Sequence, residues 1–187
     1  MIFIKYIHAF DLSMDCSGVA IFDEQGNPIH IESIQTNSKD THGKRLKVIA
    51  NRLAQLKEKY PTDIICIERG FTRFNMSTQV IYRVHGVVNF LYADCEQIYY
   101  PPKTIKEMIF KGDATKEQIR NEIKKRYPNI EFSKIEVKNK KTKEVIVKEN
   151  EDESDAFAVG LTYFIKTGKI KWEKTLPTTK KTKSKNK

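Results

Sequence analysis

The chain is short of cysteine, of long apolar runs and of negative charge, and each shortage narrows what it can be. Three cysteines in 187 residues, Cys16, Cys66 and Cys95, are odd in number and far apart. They supply neither a disulfide framework nor a zinc motif, and a reducing, cytoplasmic setting fits them. No uninterrupted apolar stretch approaches the ~18 residues of a membrane-spanning helix, so no membrane partner is expected. The opening MIFIKYIHAFD is too short, and broken too soon by Asp11, to read as a secretory signal. No internal repeat is present. Acids number 24 against 34 lysines and arginines, leaving a net charge of +10. That balance suits a polyanionic partner better than an acidic protein or a bare membrane. Hydrophobic residues at 39% suffice for one core, so a single domain with a small appendage is expected.

The excess charge is unevenly spread. From Lys166 to Lys187 there are nine lysines and one acid, so residues 1–165 carry only +2. The end of the chain, LPTTKKTKSKNK, has no apolar periodicity, and 167–187 reads as a basic, disordered tail. It suits a solubilising terminus and a phosphate-attracting arm equally well. A second basic stretch, Lys134 to Lys148, holds six lysines and two glutamates. Ile135 and Val137 alternate on one side of NKKTK, Val145 and Val147 on the other, which predicts a β-hairpin with a lysine-rich tip. Such a hairpin could touch DNA or be a solvated excursion.

Elsewhere the pattern alternates. Residues 2–10, 17–23 and 29–35 read as strands, the last two joined by the turn EQGNP. Leu46, Ile49, Leu53 and Leu56 mark a helix within 43–59, closed by Pro61. DIICIE, 63–68, is apolar enough for a strand buried on both faces. A helix over 76–93, a short strand at 98–100, helices at 103–110 and 115–127, and a last helix at 151–166 complete the order. The fold class is therefore α/β, a mixed sheet with flanking helices spanning 1–166.

Acids stand at the ends of several of these elements. Asp11 ends the first strand and Glu68 the apolar central one. Asp152 and Asp155, three residues apart, share a face of the last helix. Residues at the carboxyl ends of neighbouring strands gather at one rim, where the last helix would bring four carboxylates together. Like charges so placed raise one another's pKa, and a hard divalent cation, Mg2+ or Mn2+, resolves the conflict. Two ions would suit phosphodiester hydrolysis. Taken singly, Asp11 reads first as an ordinary turn residue or surface charge, and Asp152 and Asp155 read equally as ordinary acids of a helix's first turn. Their occurrence together in a basic protein favours the metal reading.

With these residues in view the chain resembles the RuvC family of Holliday junction resolvases, most closely its smaller phage-encoded members, within the ribonuclease H-like superfamily. The resemblance spans about 2–166. It rests on Asp11-Leu12-Ser13-Met14-Asp15-Cys16-Ser17-Gly18, on Ile67-Glu68-Arg69-Gly70-Phe71, on Tyr100-Pro101-Pro102-Lys103-Thr104-Ile105-Lys106 and on Asp152-Glu153-Ser154-Asp155-Ala156. It implies a ribonuclease H-like five-stranded mixed sheet and a homodimer that nicks four-way DNA junctions. Asp11, Glu68, Asp152 and Asp155 would be metal ligands, and Lys106 and Lys116 would lie near the scissile phosphate. Phe71 would stack at the crossover, with Arg69, Arg73 and Lys103 as DNA contacts. Leu12 and Ser13 replace the family's Pro-Gly. The lysine hairpin, about 131–150, and the tail lie outside the bacterial pattern, which opens the substrate range to other branched DNA and gives no sign of a branch-migration motor.

Two rival functions remain open from sequence. One is a ribonuclease H-type nuclease for RNA–DNA hybrids, built on the same carboxylates. The other is a non-catalytic junction-binding protein whose acids are structural.

Overall fold

In a computed structural model of the chain, which describes residues 5–70, 75–138 and 144–174, the apolar strands meet as their composition predicts. The elements are β1 (Tyr6–Asp11), β2 (Cys16–Phe22), β3 (Pro28–Gln35), α1 (His42–Lys59), β4 (Thr62–Glu68) and α2 (Asn75–Leu91). They continue with β5 (Glu96–Tyr100), α3 (Pro102–Ile109), α4 (Lys116–Arg126), β6 (Lys134–Lys138), β7 (Val145–Glu149) and α5 (Glu151–Lys166). Five strands form one mixed sheet in the order β3-β2-β1-β4-β5, with β1–β2 and β2–β3 antiparallel and β1–β4 and β4–β5 parallel. β1 is central. β4 beside it is inaccessible at Ile65, Cys66 and Ile67, which explains why it lacks polar alternation.

Helices cover both faces. On one side Ile49, Leu53 and Leu56 of α1 and Val84 and Val88 of α2 pack on Phe10, Val19, Ile21, Ile65 and Ile67. On the other, α5 lies across β1, β2 and β4, with Ile105 and Ile109 of α3 and Ile119 and Ile123 of α4 around it. α5 is buried along nearly all its length, so its apolar residues show no single stripe. Phe22 and Phe157 meet under it with ring centroids 4.9 Å apart. The helix approaches the sheet closely at two glycines. A Cβ on Gly18 would lie 1.9 Å from the Asp152 carbonyl oxygen, and one on Gly160 would lie 2.2 Å from the Phe22 ring.

Helix ends follow local chemistry. Thr41 caps α1 by accepting from the Lys44 amide. Thr115 and Gln118 form a reciprocal capping box at α4, whose last turn carries Lys124, Lys125 and Arg126 against the dipole's negative end. β6 and β7 form a separate two-stranded ribbon. Its register pairs Ile135 with Lys148 and Glu136 with Val147, so neither face is wholly apolar, and Val145, Ile146 and Val147 are all exposed. The hairpin expected over 134–148 is present, but its tip, NKKTK, lies outside the described residues.

The expected tail begins too early at 167, and the boundary is corrected. Thr167 caps α5, the Ile170 amide donates to the Phe164 carbonyl at 3.1 Å, and Trp172 Nε1 donates to the Ile109 carbonyl at 2.7 Å. Arg126 lies over the Trp172 ring and bonds the Lys171 carbonyl. Residues 167–174 thus pack on the domain, because Ile170 and Trp172 interrupt the lysines with side chains worth burying. Residues 175–187 lie outside the described residues.

Candidate active site

Strand register brings the first two acids together. Phe10 pairs with Ile67, and Ala9 pairs with Cys66, so Asp11 and Glu68 follow on neighbouring strands. Both alternate onto the face that α5 covers. α5 adds Asp155. Asp11, Glu68 and Asp155 line one cavity of about 130 Å³ with Lys106 of α3 and Lys116 at the start of α4. Pro102, Ile105, Ile119 and Ala158 supply its apolar wall.

The electrostatics are those of acids crowded out of water. Burial, then the charges of Glu68 and Asp155, push Asp11 well above the usual carboxylate range. Burial, followed by Asp155, raises Glu68 to about 7, with Lys116 and Lys106 opposing. Burial also raises Asp155, although Lys116 is ion-paired to it. Burial alone would lower the Lys116 ammonium, but Asp155, Asp11 and Asp152 outweigh it and raise its pKa.

Asp152 is placed differently. It does not line the cavity; it lies near the Cys16 thiol, which burial and then Asp152 push up to about 12. The loop after Asp11 closes without the family's Pro-Gly. Ser17 Oγ donates to the Ser13 carbonyl at 2.6 Å, and Ser13 Oγ donates to the Cys16 carbonyl at 2.8 Å. Thr36 Oγ1 then holds the Met14 carbonyl at 2.6 Å, and Arg45 pairs with Asp15.

As the side chains stand, no three described histidine, cysteine, aspartate or glutamate residues are grouped closely enough to share one ion. Lys116 is what sits on Asp155. The donor set nonetheless fits a hard divalent cation, being all oxygen, anionic and half-buried, with only lysines offsetting it.

Of the expected DNA contacts, Arg69 is exposed just beyond Glu68, its amide donating to the Tyr100 carbonyl at 2.8 Å. Lys103 points to solvent 3.7 Å from Glu107 and does not line the cavity. Phe71 and Arg73 lie outside the described residues. Sequence reasoning missed Asn150, the buried cap of α5, although an asparagine directly before a run of acids is a recognisable helix-start signal.

Known proteins resemble this arrangement in fold. Thermus thermophilus RuvC in complex with Holliday junction substrate superposes with a TM-score of 0.70 at 16% identity, covering 87% of this chain and 94% of that one. A second T. thermophilus RuvC structure gives 0.66 at 16% identity, over 88% and 97%. No curated protein sequence matches the chain. Residues 9–163 match the family described as crossover junction endodeoxyribonuclease RuvC. That match runs from just before Asp11 to just beyond Asp155 and takes in both lysines of the cavity, so the chain belongs to the RuvC family of Holliday junction resolvases.

Proposed function

We propose that this endonuclease cuts at the cavity formed by Asp11, Glu68 and Asp155, using Mg2+ or Mn2+ and two ions per site. The observation that carries the reading is the meeting of three half-buried acids, from β1, β4 and α5, with two lysines in one cavity. Activity in the family depends on divalent metal. Asp11, Glu68 and Asp155 would hold the ions, with Asp152 one helical turn away at the edge. Bound there, a divalent ion supplies an activated water and charge stabilisation for phosphodiester hydrolysis. The chain's own residues do the rest. Burial of Asp11 and Glu68 favours exchange of their protons for a cation. Lys106 and Lys116 offset negative charge developing on a phosphate at the cavity. Arg69 and Lys103, both exposed, are positioned to meet DNA backbone beyond it.

The substrate proposed is branched DNA, four-way junctions above all, as in the T. thermophilus RuvC complex. A homodimer is proposed as well. It is supported by the outward side of α2, where Tyr82, Gly86 and Phe90 recur every fourth residue and Phe90 is 82% exposed. The three free cysteines support a cytoplasmic setting.

The test is cleavage of a fixed four-way junction beside flap, fork, linear duplex and RNA–DNA hybrid, with and without Mg2+. Paired nicks in the junction that need metal are expected, and Asp11→Asn should bind the junction without cutting it. Cutting confined to the hybrid, or metal-independent binding with no nicking by the wild type, would overturn the reading.

A further inference from the structure

The first turn of α5 carries Asp152 and Asp155, yet what holds that turn in place lies outside the cavity. Asn150, fully buried, accepts from the Asp152 amide at 3.0 Å, and its Nδ2 donates to Ser33 Oγ of β3 at 2.8 Å. The Asn150 amide donates to the Ser133 carbonyl at 2.7 Å. Glu153, only 3% exposed, takes two bonds from the same residue: the Ser133 amide at 2.7 Å and the Ser133 hydroxyl at 2.5 Å. Ser133 leads into β6 and Asn150 leads out of β7, so both ends of the ribbon are fastened to the start of α5.

A buried carboxylate held by neutral donors is a poor choice for stability alone, since a well-packed apolar residue serves as well or better. What Glu153 provides is direction. Its two bonds fix the rotation of the turn about the helix axis, and Asn150 fixes its height against β3.

We propose that Ser133, Asn150 and Glu153 are positioning residues that set Asp152 and Asp155 at the placement a divalent cation requires. This rests on the metal-dependent reading above. None of the three lines the cavity.

The test uses the full chain with Mn2+ as the probe. Mn2+ binding is measured directly by electron paramagnetic resonance, and half-saturating Mn2+ is measured for junction nicking. Ser133→Ala and Glu153→Gln should each weaken Mn2+ binding ~10-fold or more, the range for residues that orient metal ligands. Their nicking rate should recover at saturating Mn2+, and Ser133→Thr, which keeps the hydroxyl, should stay close to wild type. Should Glu153→Gln fail to fold, Ser133→Ala decides, because it leaves the backbone bond to Glu153 in place. Unchanged Mn2+ affinity in folded variants would overturn the proposal, as would a loss of rate that no metal concentration restores. A wild-type chain that binds no Mn2+ would overturn the metal reading, and this inference with it.

Discussion

The two faces of the sheet bury titratable groups in opposite ways. Under α1 and α2, His8 is fully buried, and burial holds its imidazole down at about 4. Its Nε2 donates to the Tyr60 carbonyl at 2.8 Å, and Nδ1 faces the Tyr92 hydroxyl at 3.1 Å. Under α5, Asp11 and Glu68 are pushed up by burial and then by one another's neighbourhood of acids, against two lysines. The first group is satisfied locally and behaves as core. The second is compensated only in part, which marks a place where chemistry is to be done.

The largest break between the faces should come from the acids. Asp11→Asn or Glu68→Gln is expected to cut metal-dependent nicking at least ~100-fold, in line with loss of a metal's supporting ligands. The metal-free melting temperature should stay level or rise, because mutual repulsion is relieved. A variant that melts lower and still cuts would erase the distinction.

Gly18→Ala tests the packing that brings α5 to the acids. Its Cβ would meet the Asp152 carbonyl at 1.9 Å, so the helix must shift. Loss of nicking together with about 1–3 kcal/mol of stability, typical of overpacking, is expected from kinetics and urea unfolding. His8→Phe, on the opposite face, should cost about 1–3 kcal/mol for the stranded Tyr60 carbonyl. Its nicking rate per folded molecule should be unchanged.

The smallest effect is the sign of the pH response in the metal-free protein. His8 has a folded value of about 4 against an ordinary 6.5, so its contribution is complete above pH 6.5 and is lost as pH falls toward 4. Glu68 has a folded value of about 7 against 4.5, so its contribution is complete below pH 4.5 and is lost as pH rises toward 7. Unfolding midpoints followed against pH should show a shallower acid-side decline in His8→Phe and a shallower upper decline in Glu68→Gln, where Asp11 and Asp155 still contribute. The same slope for both variants would refute the opposition.

Much of this was legible in the sequence where one residue's chemistry sufficed. DIICIE read as a strand covered on both sides because Ile64, Ile65, Cys66 and Ile67 between its two acids offer nothing that favours water. The three-residue spacing of Asp152 and Asp155 put them on one side of a helix, and Asp11 and Glu68 at strand ends gave the rim. What escaped depended on partners distant in sequence. Asp152 stays out of the cavity's lining, and Lys116 closes on Asp155, through packing between elements that no local pattern encodes. The ribbon's two apolar sides do not face each other, because pairing Ile135 with Lys148 sets a register that alternation alone leaves free. Where Leu12 and Ser13 stand for the family's Pro-Gly, Ser13 and Ser17 shape the loop after Asp11 by hydrogen bonding, which residue identity alone does not announce.

The fastening of Ser133 and Asn150 has an evolutionary consequence. Strands β6 and β7 enter and leave at a sealed base, so the excursion between them can lengthen, shorten or change composition while the helix start keeps its place. A lineage can therefore experiment with that appendage, adding or discarding lysines as its substrates demand, without disturbing the machinery a few residues away.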